Sequence, residues 1–116
     1  MTAMELTQAS FASFIRERDA GIVCFVDLRS GRGLQHLERL ERLAEGRLDV
    51  GAVDVGRCPD IVSDFDVKSI PTTAVVVSRR LAFLESGEFN EATIAAVVAA
   101  AVRSRVRVPD GRRRAR

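Results

Sequence analysis

The sequence predicts an α/β domain of three layers, with a central mixed sheet between two layers of helices, and three observations carry that reading. Ile22-Val23-Cys24-Phe25-Val26 is an unbroken apolar run, the pattern of a central strand buried on both faces. After a turn at Ser30-Gly31-Arg32-Gly33, Leu34, Leu37, Leu40 and Leu43 recur at helical spacing. Two apolar-rich segments, 74–78 and 81–85, are separated by only Arg79 and Arg80, which suits an antiparallel hairpin. Strands joined by helices require parallel crossovers, and the closing pair adds antiparallel partners, so the expected order is β-α-β-α-β-α-β-β-α.

Each element has a local reason. Residues 3–6 suit a short first strand, and Thr7 is placed to cap a helix over 9–18 that carries Phe11, Phe14 and Ile15 on one face. Gly21 ends that helix before the apolar run. The leucine-bearing helix continues to Gly46, and 48–55 reads as another strand. Pro59 opens a short helix at its first turn, where a missing N–H loses nothing. Asn90 caps a final helix over 91–104, with Ile94, Val97, Val98, Ala101 and Val102 facing the sheet. Its remaining faces are mostly alanine, which would also let a second copy approach closely, making a homodimer possible.

Size and composition narrow the function. The 116 residues are enough for one domain, and 47% hydrophobic with 29% charged residues is a globular composition. No apolar stretch approaches the length of a membrane span, so no membrane insertion is expected. Residues 1–10 lack the basic-then-apolar order of a signal peptide, so the expected location is cytoplasmic. Two cysteines and one histidine leave no disulfide scaffold and no metal set, and no cofactor or metal is expected. The net charge of +2 is the sum of two unlike regions. From residue 103 on, seven arginines oppose Asp110 alone, while the preceding residues hold eleven basic and fifteen acidic side chains. The expected domains are therefore 1–104 and an Arg-rich flexible tail over 105–116. Seventeen arginines against one lysine are what a GC-rich bacterial genome also produces, so the arginine count is weak support for anion recognition.

Local residues then point to a family. Val53-Asp54-Val55, Pro59 and Phe65-Asp66-Val67-Lys68-Ser69-Ile70-Pro71-Thr72, with Gly87 sixteen residues after Pro71, resemble the second half of a thioredoxin. Leu6-Thr7 and Ser10-Phe11 fit that family's opening, and the resemblance covers about residues 3–104. It implies the thioredoxin fold, a cis proline at Pro71, and a peptide-docking surface where the backbone at Ile70 pairs with an extended chain. Redox thioredoxins carry Trp-Cys-Gly-Pro-Cys-Lys between the central strand and the second helix. Here that stretch reads Asp27-Leu28-Arg29-Ser30-Gly31-Arg32-Gly33-Leu34. Without a gap, Ser30 and Gly33 take the cysteine positions; counted back from Asp54, the motif falls on 27–30. Neither register holds a thiol, and disulfide reduction needs one thiolate to attack and a second to resolve.

The resemblance and the missing thiols together imply a redox-inactive binding, assembly or chaperone-like module rather than an enzyme. Its candidate surface is Arg29, Ser30, Gly31, Arg32, Gly33, Ile70, Pro71 and Thr72, and its expected partner a protein or peptide. Arg29 and Arg32 beside a glycine-rich helix start could also hold an anion, against the plainer reading of a Ser-capped turn with solvated arginines. An alternative is thiol chemistry or mixed-disulfide formation at Cys58, expected to be exposed at a helix start. A further alternative is docking of an anionic partner, including nucleic acid, on the basic tail, although that tail has no aromatics for base stacking. Cys24 is expected in the core, His36 on the surface, and Asp27 at a cap or surface position.

Overall fold

The computed structural model describes residues 3–113, with side chains through Ser104. The elements follow the expected order: β1 (Met4–Leu6), α1 (Gln8–Arg16), β2 (Ala20–Val26), α2 (Gly31–Ala44), β3 (Asp49–Asp54), α3 (Pro59–Asp64), β4 (Thr72–Val77), β5 (Arg80–Ser86) and α4 (Glu91–Arg113). The strands form one sheet in the order β1-β3-β2-β4-β5. β1 and β2 run parallel to β3, and β4 runs antiparallel to both β2 and β5.

β2 lies at the centre and every one of its residues is buried, as its unbroken apolar run predicts. Its alternating side chains divide the core in two. Ile22, Cys24 and Val26 pack with Leu37 and Leu40 of α2 and with Ile94, Val98 and Ala101 of α4. Val23 and Phe25 pack on the other face with Leu6, Phe14 and Ile61. That second layer approaches the sheet closely because β3 carries Gly51. A Cβ there would stand 2.5 Å from Leu6 Cδ1 and 3.2 Å from Phe14 Cζ.

Capping follows the local sequence. Thr7 and Ser10 form a reciprocal box at the start of α1: Ser10 N–H donates to Thr7 Oγ1 (3.1 Å) and Thr7 N–H donates to Ser10 Oγ (2.8 Å). Asn90 Oδ1 accepts from Thr93 N–H at 3.1 Å before α4. Three expectations are corrected. The loop of the β4–β5 hairpin is Ser78-Arg79 rather than Arg79-Arg80, with φ of 53° and 67°. Two successive positive φ values give a turn whose twist matches the strands it joins, and this selects the loop over the mere spacing of apolar residues. α1 ends at Arg16, so Arg18 is free to stack its guanidinium 4.2 Å from the Phe14 ring centre and pair with Asp49 at 2.8 Å. α4 continues as helix past residue 104 to Arg113. Residues 114–116, and the side chains from 105 on, on which the tail expectations rest, lie outside the described residues.

Candidate functional site

The central strand β2 ends at Val26 and the chain turns into α2 within a few residues. Ser30 N–H donates to the Asp27 carbonyl at 3.0 Å, and Ser30 is the N-cap of α2. Its Oγ accepts from Gly33 N–H at 3.3 Å. The N–H groups of Gly31 and Arg32 have no partner among the described residues, as the first turn of a helix dictates. Gly33 is required by packing: a Cβ there would lie 2.5 Å from the Asp27 carbonyl oxygen. Asp27 accepts from both the backbone N–H (2.9 Å) and the Nε (3.2 Å) of Arg29. Those bonds and the guanidinium charge hold its carboxyl below the usual range.

Opposite this turn, the Ile70–Pro71 peptide bond is cis. Val26, Asp27, Ser30, Arg32, Gly33, Ile70, Pro71 and Glu88 enclose a cleft of about 250 Å³. Ile70 is 44% exposed, and neither its N–H nor its carbonyl makes a hydrogen bond among the described residues. The Pro71 carbonyl is already taken by Gly87 N–H at 2.7 Å.

The expected site residues divide accordingly. Ser30, Arg32, Gly33, Ile70 and Pro71 come together in this cleft although some forty positions separate the two segments. Gly31 borders open space, with nothing within 4 Å of its Cβ direction. Arg29 turns to a second cleft lined by Glu5, Leu28, Asp54, Gly56 and Arg57. Thr72 is buried and its hydroxyl donates to the Ser69 carbonyl at 2.7 Å, so its side chain holds the loop from within.

Two side chains lie where the sequence did not place them. Cys58 is buried, not exposed, and its thiol donates to the Leu6 carbonyl at 3.7 Å. Burial first, then the nearby carboxylates Asp54 and Glu5, push that thiol up, with Arg57 opposing. The short α3 therefore does not activate it. Cys24 is buried as expected, and burial pushes it up to about 12. The two sulfurs belong to core layers on opposite faces of the sheet. His36 is buried, not on the surface, because α2 turns it inward beside Leu37. Its Nε2 lies 3.3 Å from Thr73 Oγ1, and its ring meets Phe89 edge-on at 4.8 Å. Sequence reading missed Glu88 in the cleft. Its only local signal is Gly87, whose φ of 89° turns the chain back toward Pro71.

The chain has the thioredoxin fold. Among solved structures it is similar to a thioredoxin variant from Halobacterium salinarum, with TM-score 0.76, 19% identity, and 86% and 90% of the two chains covered. The thioredoxin of Plasmodium falciparum matches with TM-score 0.73 and 20% identity over 84% and 98%. Chloroplastic thioredoxin z matches with TM-score 0.71 and 21% identity over 90% and 96%. No protein-family model and no curated protein matches the sequence. No group of three or more His, Cys, Asp or Glu suited to a metal occurs among the described residues, and no described helix is long and apolar enough to cross a membrane.

Proposed function

We propose that this thioredoxin-fold protein is a redox-inactive module that binds a partner polypeptide in extended form at the cleft between α2 and Pro71. The observation that carries this reading is the backbone of Ile70, which makes no hydrogen bond among the described residues and borders a cleft that Ser30 and Gly33 also line. An extended chain can pair with an unoccupied N–H and carbonyl much as a strand adds to a sheet edge. Arg32, which has no ion pair among the described residues, lines the same cleft and favours a partner bearing carboxylates nearby. A serine hydroxyl cannot supply the attacking thiolate, and both cysteine thiols are raised and buried elsewhere.

Two measurements test the reading. In an insulin disulfide-reduction assay driven by thioredoxin reductase, the protein is expected to add nothing to the background rate, and robust turnover would overturn redox inactivity. Fluorescent reduced, carboxymethylated lactalbumin serves as an extended-chain probe for binding. Ile70→Asp and Arg32→Glu are each expected to weaken its binding by about tenfold, equivalent to about 1.4 kcal/mol. Absence of binding, or binding unchanged in both variants, would overturn the docking role.

A further inference from the structure

β5 forms one outer edge of the sheet, paired with β4 on one side and with no strand on the other among the described residues. Such an edge is a template for another strand, and proteins commonly blunt it with proline, lysine or other charges, or a bulge. β5 has no proline or lysine, but it carries a bulge and two charges. Its charges are Arg80 and Glu85, near opposite ends and of opposite sign.

The register with β4 sorts the side chains by face. Leu81 opposes Val76 and Leu84 opposes Ala74, so the two leucines share one face, the irregularity between Val75 and Val76 leaving Ala82 as the extra residue. Arg80 opposes Val77 and Glu85 opposes Thr73, so these charges share the other face. Leu81 and Leu84 are 48% and 43% exposed. Arg80 has no hydrogen bond or ion pair among the described residues, and Glu85 Oε1 is buried without a hydrogen-bond partner.

We propose that β5 is a self-association edge, where β5 of a second copy of this chain pairs antiparallel about a two-fold axis and the sheet continues from one copy into the other. The strand is complementary to itself. Setting Leu81 of one copy opposite Leu84 of the other sets Arg80 opposite Glu85, and the two-fold axis repeats both pairs. Apolar groups then meet on one face and opposite charges on the other, each on the face where β4 already places them. A slip of one residue would set side chains of opposite faces against each other, so the pairing is specific in register.

Sedimentation equilibrium of the full chain across a wide concentration range tests it, with circular dichroism confirming the fold of each variant. The wild type is expected to show a reversible monomer–dimer equilibrium. Arg80→Glu and Glu85→Arg each set like charges opposite one another twice, and each is expected to weaken the dimer at least about tenfold. The double exchange Arg80→Glu with Glu85→Arg restores opposite charges and is expected to recover the dimer. A wild type that stays monomeric at every concentration overturns the proposal. So does a dimer insensitive to both single variants, as association through the alanine face of α4 would give. Loss in the single variants without recovery in the folded double variant overturns it too.

Discussion

His36 is held in the interior by two contacts from two elements: Thr73 on β4 and Phe89 ahead of α4. Its Nδ1 has no hydrogen-bond partner among the described residues, so the neutral ring suits the site and a second proton does not. Burial lowers its pKa below 6.5, with Glu88 opposing that shift and Arg39 adding to it. The unfolded chain therefore binds a proton at a higher pH than the folded one, and the stability contribution is complete above 6.5. It is lost as pH falls through the lower folded value. Thermal unfolding followed by circular dichroism is expected to shift to lower temperature on acidification below 6.5. In His36→Phe, which keeps a ring against Phe89, that slope is expected to flatten before the carboxylates titrate; an unchanged slope would assign it to another group. The same residue marks a limit of sequence reading. Leucine spacing locates the helix, but whether a histidine beside those leucines faces water or sheet depends on how far α4 and the loop before it extend over α2. Cys58 shows the same dependence: a helix start implies exposure only until Leu6 on a strand far away in sequence covers it.

At the scale of the element, local signals account for most boundaries. The Thr7 box, the Ser30 cap, Pro59 and Asn90 each satisfy or dispense with orphan N–H groups at the position the sequence suggests. The hairpin loop is the exception. Apolar spacing alone places Arg79 and Arg80 outside the strands, yet β5 begins at Arg80, and Ser78 and Arg79 take the left-handed conformations. Ser78 N–H donates to the Asp19 carbonyl at 2.8 Å, so the loop is anchored by the chain entering β2, a contact no local window contains. Both loop residues adopt a region that L side chains disfavour. Replacing Ser78-Arg79 with Asn-Gly is expected to stabilise the protein by about 1 kcal/mol in urea unfolding. No gain would mean that contacts of the native pair offset the backbone preference.

The whole molecule is held by one sheet with a packed layer on each face, and β2 contributes to both. Phe25 is fully buried against α1 and α3, with the Phe65 ring 5.5 Å away, whereas Leu37 is fully buried on the face of α2 and α4. Because the layers share β2, losing either core is expected to lower the stability of both. Phe25→Ala is expected to cost about 3–5 kcal/mol and Leu37→Ala about 2–5 kcal/mol. Each is expected to unfold in a single transition in calorimetry and far-UV circular dichroism. These probes suit a chain with no Trp or Tyr. Two resolved transitions in either variant would contradict the shared-strand account.

The sequence by itself determined the element order, the central place of β2 and the helix caps. Those features depend on residues close together in the chain, where periodicity and capping chemistry act. Tertiary structure decided the rest. It joined the 30–33 turn to Ile70 and Pro71 with Glu88 beside them, turned Arg29 aside, buried Cys58 and His36, and placed β5 at an edge of the sheet formed by the described residues. Each of those outcomes rests on what a distant element covers, and burial is a property of the assembled layers rather than of any local stretch.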